Sequence, residues 1–485
     1  MSALLPESGT SNLGMIDMAE ITNDLLRTVC APPFTPKRAY DACKALGVLG
    51  KWWLRPETLR AAHQYNSNFP SLTAPPNIND LGGPGSCWVV LRLSPKTDLA
   101  ELQLPLLRQA FLLPLRWELG PHSPHLPAEL KSLGDRVVES LHEYLRPDRS
   151  WGLHLADLPK MDRVCLGQGL KFSWDSAWAA LAGGLITHDL GLHPDPGVWA
   201  SGAWKHHGLA HIDGLAEKLA LAAEWKAKVF FVPAWQQDEA RSWVDKEATD
   251  QLDLGALAAP AEPDAFATLN HYLARLAKVP PRPEGEGREE EQAFQRCKEY
   301  YRIQIDSDQT RAFYWSHLLQ PITRRVREKY RKLPVSKTFT HLITIVSPSN
   351  ELAVLAPLVV QAKHCLLLYT PDLLPQAREC EKHLPGVRCK FAWFHQGPDQ
   401  DRHMADAVEA FTSNVPVDEV VLDLTPGTKM MSYSLSRTAK AGNWLFFLDA
   451  KYLHDRSAHR RPDPDSESPD LRPVRTETGK GAPTR

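Results

Sequence analysis

Ser176 and Lys218 stand in the two segments of this chain best suited to covalent chemistry. Ser176 lies in Trp174-Asp175-Ser176-Ala177-Trp178, at the head of a run of small residues. Lys218 lies in Asp213-Gly214-Leu215-Ala216-Glu217-Lys218-Leu219, followed by an alanine- and leucine-rich stretch. A serine hydroxyl is a weak nucleophile at its own pKa, but a lysine desolvated among apolar neighbours can be lowered enough to take its proton. A serine at a helix N-terminus also lies near N–H groups able to stabilise an oxyanion. The pair therefore points to acyl transfer.

A second constellation is Asp423-Leu424-Thr425-Pro426-Gly427-Thr428-Lys429-Met430-Met431-Ser432, read as a strand-to-helix junction. Such a junction presents backbone N–H groups and a helix N-terminus to a ligand. Gly427 permits close backbone approach, Thr428 offers a hydroxyl and Lys429 a positive charge, which suits a phosphate or a base edge. An earlier apolar run, His341 to Val346, ends in Ser347-Pro348-Ser349-Asn350-Glu351, a polar loop opening another helix. Both loops follow strand C-termini, so a parallel sheet would bring them to one edge. No GxxxxGK[ST] spacing occurs, so a phosphate-binding P-loop is not expected.

The elements that must position these groups follow from periodicity. Residues 1–80 read as a small helical region, and residues 82–85 (Gly-Gly-Pro-Gly) as a loop. Between residues 86 and 255, strands are expected at Trp88–Leu93, Gly152–Leu155 and Val229–Val232, and helices at Leu130–Leu145, Ser173–Ile186 and Gly214–Ala227. Residues 256–335 read as a linker with connecting helices, the clearest spacer being Val279–Glu291. The basic run Arg324–Lys332 reads as a solvated helix face. From residue 336 to 455, near-continuous apolar strands alternate with helices, which predicts a parallel sheet covered on both faces. The charged, proline-rich residues 456–485 read as a disordered tail. The fold class is α/β overall.

Composition narrows the function further. A chain of 485 residues is too long for one ordinary core. A formal net charge of −2 argues against wrapping a long nucleic acid, though not against a small anionic ligand. The eight cysteines are scattered with no CxxC pair, which fits reduced thiols in a cytoplasmic protein and gives no zinc site. No apolar run approaches the ~20 residues that cross a bilayer, and the N-terminus lacks the features of a secretory signal. His206, His207 and His211 lack a zinc-binding spacing and read as surface or packing residues, so no metal or cofactor is expected. Trp174, Trp178, Trp199 and Trp204 read as core residues.

The Ser176 and Lys218 segments, in that order and at that separation, resemble the Lon peptidase domain, an α+β fold whose serine lies in P-S-A-G and whose lysine lies in G-G-L-x-E-K-L-x-A-A. The resemblance covers much of residues 86–255. It implies Ser176 and Lys218 as the catalytic dyad and Ser201 as the hydroxyl that contacts the lysine. The sequence departs from the family at Asp175, where proline is usual, at Trp178, where glycine is usual, and at Asp213, in place of the first of two glycines. Asp175 is thus a second supporting position, able to alter the oxyanion geometry.

The two C-terminal loops resemble the CARF family, the CRISPR-associated Rossmann-fold domains, over residues 336–455. That resemblance implies a homodimer binding cyclic oligoadenylate, cyclic tetra-adenylate being the favoured ring, through Ser347, Ser349, Asn350, Thr425, Gly427, Thr428 and Lys429. Together the two likenesses imply an ATP-independent serine protease switched on by cyclic oligoadenylate in type III CRISPR antiviral signalling, with a dedicated protein substrate encoded nearby. Two other readings stand beside it. One is a non-enzymatic nucleotide sensor with a degenerate Lon-like scaffold. The other is a nucleotide-activated nuclease, for which Arg149–His154, Arg378–His383 and the loose set Asp195, Glu224 and Lys226 are the only strings.

Overall fold

A computed structural model describes residues 19–47, 49–66, 82–93, 106–156, 164–167, 170, 172–205, 208–247, 251–260, 264–453 and 461–475. The class is α/β, and the chain divides into two compact units between Val279 and Pro280.

The N-terminal unit begins with strand β1 (Ala19–Ile21) and helices α1 (Asn23–Cys30), α2 (Pro36–Leu46), α3 (Leu49–Trp53) and α4 (Pro56–Tyr65). Strands β2 (Ser86–Arg92), β3 (Ala110–Leu119) and β4 (Trp151–Leu155) form an antiparallel sheet, with α5 (Ala128–Ser140) inserted between β3 and β4. The short β5 (Val164–Leu166) pairs with β1. Next come α6 (Trp178–Asp189), β6 (Val198–Ala200), the hairpin of β7 (Ala203–Lys205) with β8 (Gly208–Ala210), and α7 (Leu215–Glu224). Strands β9 (Val229–Pro233) and β10 (Asp253–Leu257), with α8 (Gln237–Lys246) between them, complete a parallel sheet of order β10-β9-β6, and α9 (Ala265–Leu276) closes the unit.

Helix α6 is buried on nearly every side, as its apolar, small-residue sequence requires. Its paired glycines allow this. A side chain at Gly183 would meet the Tyr272 ring of α9 at 2.4 Å, and one at Gly184 would meet Cys87 Cβ of β2 at 2.8 Å.

One hydrophobic core runs through the unit from Ile21 to Leu276. Two boundaries differ from the sequence reading. The region set apart as residues 1–80 contributes α1–α4 to this same core, with Trp52 stacked on Trp225 at 4.5 Å and Trp53 edge-on to Phe111 and Phe172. Part of the expected linker is α9, whose Leu269, Tyr272, Leu273 and Leu276 are buried. The stretch 74–77 and His206 and His207 lie outside the described residues.

The C-terminal unit opens with α10 (Arg288–Ile303) and α11 (Ser307–Phe313). A wide π turn at Tyr314–Leu318 leads into α12 (Leu319–Arg331). Then β11 (His341–Ile345), α13 (Glu351–Val360), β12 (His364–Tyr369), α14 (Leu374–Lys382), β13 (Arg388–Trp393), α15 (Gln400–Thr412), β14 (Val420–Asp423), α16 (Lys429–Arg437) and β15 (Trp444–Asp449) alternate. The sheet order is β13-β12-β11-β14-β15, all parallel.

Successive strand residues face opposite sides. Leu342, Cys365, Leu367, Val421 and Phe446 enter one core, and Ile343, Ile345, Leu366, Leu368 and Leu422 the other. The tail expected to be disordered departs from that reading. A short pair, β16 (Tyr452–Leu453) with β17 (Arg461–Pro462), is followed by β18 (Ser468–Pro473), which adds antiparallel to β15 as the sixth strand. Strand β13 and helix α15 carry charged or mixed faces and have no clear sequence signal, whereas strand β3 is apolar and buried over residues 110–115 but holds Pro114, a residue that argues against a strand.

Candidate functional site

The Ser176 turn forms where a short 3-10 segment, Trp174–Ala177, runs straight into α6. Strand β6 ends immediately before Ser201, and Ser201 N–H is tied to the Phe231 carbonyl of β9 at 2.9 Å. Gly202 N–H donates to the Ser176 carbonyl at 3.0 Å, and Ser201 Oγ donates to the same carbonyl at 3.3 Å. These bonds lock the two serine segments side by side. Lys218 enters from the inward face of α7, the face that also buries Leu215, Leu219 and Ala222.

Lys218 Nζ lies 2.8 Å from Ser176 Oγ and 3.1 Å from Ser201 Oγ. Three residues from three separate elements thus meet at one nitrogen. The lysine is 1% exposed, Ser201 0% and Ser176 4%, so this polar cluster is closed to solvent. Burial lowers the Lys218 amine to about 8; the Asp213 carboxylate opposes this, Arg92 adds to it and Glu217 opposes it. Arg92 and Glu217 pair with each other at 3.2 Å. An amine lowered this far has a substantial neutral fraction near pH 8, and its lone pair can then accept the serine proton.

Asp175 does not point at the dyad's nitrogen. It bridges two cations, Arg136 of α5 at 2.9 Å and Lys205 of β7 at 2.7 Å. Burial alone would raise its pKa, but hydrogen bonds and charge from Lys205 and Arg136 hold it below the usual carboxylate range. Trp178 packs beside this clamp. Its ring stacks on Trp204 of β7 at 4.9 Å, and its Nε1–H donates to Ser140 Oγ at 3.2 Å. Arg136 and Lys205 were not singled out from sequence, since nothing in their spacing marks them as partners of Asp175. Two N–H groups expected near an oxyanion are engaged: Trp178 N–H donates to the Asp175 carbonyl and Ala179 N–H to the Gly202 carbonyl.

The two C-terminal loops leave adjacent parallel strands, β11 and β14. In the order β13-β12-β11-β14-β15 the chain leaves β11 toward one side and β14 toward the other. Their C-terminal ends therefore flank the topological switch point, where open α/β sheets bind ligands. Gly427, at φ +92°, crosses close over β11, and a side chain there would meet Ile345 Cγ2 at 3.2 Å.

The candidate ligand residues fall into two groups. Gly427, Thr428 and Lys429 are exposed at the crevice, and Lys429 has no ion-pair partner among the described residues. Thr428 also caps α16 through Met431 N–H at 3.2 Å. The others are engaged in the fold. Thr425 Oγ1 accepts from Leu448 N–H at 2.7 Å, and Ser347 Oγ donates to the Ser349 carbonyl at 2.9 Å. Asn350 is fully buried and turns its amide to Glu379 Oε2 at 3.1 Å.

The residue that organises this crevice is Asp423. It is buried, accepts from Thr344 Oγ1 at 2.7 Å and from Thr425 N–H at 3.0 Å, and burial pushes its carboxyl up to about 6. It heads the quoted motif, but only the pairing of β14 with β11 gives it Thr344 as a partner.

The nuclease strings do not assemble. Arg149 pairs with Asp189, while His154 lies against the Pro121 carbonyl. Asp195 pairs with Lys228, and Glu224 with Arg108. His383 stacks on Trp315. Among the described residues no group of three or more His, Cys, Asp or Glu side chains could hold a metal, and His211 bonds to Gln236. No helix among them is long and apolar enough to cross a membrane. No family model matches this chain, and no curated protein matches it.

Proposed function

We propose that this protein is a cytoplasmic serine endopeptidase with a Ser176/Lys218 dyad of Lon type, held latent and switched on when its C-terminal CARF-like unit binds cyclic oligoadenylate. The observation that carries this reading is the 2.8 Å contact between a buried, pKa-lowered lysine and the serine hydroxyl. Neutral Lys218 takes the Ser176 proton as Oγ attacks a peptide carbonyl, forming the acyl-enzyme. The protonated lysine then supplies that proton to the leaving amine, and water completes the hydrolysis. Ser201 holds the amine by accepting one of its N–H groups. A substrate reaches a hydroxyl that is 4% exposed only if the covering segments move, which is the step that a ligand binding the open state more tightly would favour.

The crevice at Gly427, Thr428 and Lys429 suits a phosphate-bearing ring, and a homodimer through this unit would present two such crevices to one ligand. Cyclic tetra-adenylate is the favoured ring. The substrate is a dedicated partner protein encoded nearby, in type III CRISPR antiviral signalling.

A second reading, a non-enzymatic nucleotide sensor, is favoured by one observation: the closed dyad, with two nearby N–H groups already bonded. The deciding experiment is cleavage of proteins encoded beside this one, with wild type, Ser176→Ala and Lys218→Ala, each with cyclic tri-, tetra- or hexa-adenylate. Cleavage that needs one ring and disappears in both variants supports the protease. Ring binding without cleavage, lost in Lys429→Ala, supports the sensor.

A further inference from the structure

The basic run on α12 is more than a solvated face. Thr323, Arg327 and Arg331 follow at intervals of four and so lie on one side of the helix. That side lines an open cleft of about 540 Å³, within the usual range of small-ligand sites. The opposite wall comes from Leu358 near the end of α13 and from Lys382 and His383 at the end of α14. Helices α13 and α14 each return the chain to the start of the next parallel strand. These ends therefore lie at the N-terminal edge of the sheet, opposite the crevice of Gly427 and Lys429.

We propose that this cleft is a second ligand site, built to take a polyphosphate-bearing ligand such as a nucleoside triphosphate. Three cations converge on it, Arg327, Arg331 and Lys382, against one carboxylate, the exposed Glu328. Arg324 at the rim is already paired with Glu290 at 2.6 Å. Arg331 and Lys382 have no ion-pair partner among the described residues.

Among the described residues, two polar atoms of the wall are buried without a partner: Thr323 Oγ1, on a residue 8% exposed, and Arg327 Nε. Buried polar groups are normally satisfied, and an orphaned donor beside a cleft is supplied by what the cleft holds. Arg327 is positioned for this by one Nη that donates to the Leu358 carbonyl at 2.6 Å. Burial, and then the charge of Arg331, lower the Arg327 pKa; an anion between the two guanidinium groups would offset the repulsion between them.

Their attachment points stand about 6 Å apart along the helix axis, so the two long side chains reach separate phosphoryl groups of one polyphosphate, and guanidinium forks favour phosphate oxygens. The Trp315 ring, stacked on His383 at 4.4 Å, adds a flat wall beside the cations.

The test is calorimetric titration of the full-length protein with sodium tripolyphosphate and with ATP at physiological salt, with sulfate as the control anion. Saturable binding is expected in Lys429→Ala, where the crevice at the other edge of the sheet is disabled, and it should weaken at least tenfold when Arg331→Ala and Lys382→Ala are added. Equal affinity for the two probes means that the phosphates suffice; tighter ATP binding means that the base is read as well. Absence of binding in Lys429→Ala, equal binding of sulfate, or retention once Arg331→Ala and Lys382→Ala are added overturns the proposal.

Discussion

Lys218 Nζ and Ser176 Oγ are 2.8 Å apart, in a site where the lysine is 1% exposed and, among the described residues, no carboxylate touches the amine. Both facts push the same way: the neutral amine is favoured, and the hydroxyl is its immediate neighbour.

The pH dependence follows. With the amine at about 8, its neutral fraction rises through that pH. Cleavage by the ring-activated protein should increase with pH along a single titration near 8 and then level off. A kcat/KM profile measured between pH 6 and 10 checks this. A profile flat from pH 6 upward would remove Lys218 from the role of base.

The same burial should weaken the fold. The folded pKa lies below the ordinary 10.5, so between about 8 and 10.5 the unfolded chain binds more protons and stability rises with pH. Below 8 the full penalty is present, roughly 3 kcal/mol at 1.4 kcal/mol per unit. Lys218→Met keeps the volume and discards the charge, and both serine hydroxyls keep carbonyl partners. This variant should be inactive yet melt higher than wild type at pH 7, with the gain shrinking toward pH 10. Thermal denaturation at both pH values reads the difference.

Asp175→Asn should separate activity from stability. Its two ion pairs involve partly exposed groups, so their loss should change stability by less than about 1 kcal/mol. They nevertheless tie α5 and the β7–β8 hairpin to the serine turn. Loosening that tie should raise cleavage in the absence of any ring, while the melting temperature barely moves. Unchanged basal cleavage would mean that the clamp does not cover the dyad.

Glu467 supplies a test in the C-terminal unit. It is fully buried, both carboxylate oxygens lack partners among the described residues, and burial raises its pKa to about 7 despite Lys329 nearby. The folded state favours the protonated form, so its contribution is complete below 4.5 and is lost as pH rises through 7. Glu467→Gln should melt higher than wild type at pH 8 and nearly the same at pH 5. Differential scanning calorimetry of the full chain at the two pH values checks it.

Local sequence set the alternation of the C-terminal unit, because strands buried on both faces must be continuously apolar and their helices amphipathic or wholly buried. It also marked Ser176, Lys218 and the Gly427 loop, whose residue types carry chemistry wherever they stand, while Ser201 came only with the resemblance to the Lon peptidase domain. It did not reveal β18, where buried Pro469, half-buried Leu471 and the pairing with β15 draw a charged segment into the sheet. It did not reveal that α1–α4 join the core of the N-terminal unit, since the Trp52–Trp225 stack links residues far apart in the chain. Nor could local pattern show that Asp175 would bridge Arg136 and Lys205, or that Asn350 would turn inward to Glu379. Residue type and periodicity set what a segment can do and which face it buries. Only tertiary packing decided which charges became neighbours, and it enclosed the lysine away from water, where its proton is more weakly held.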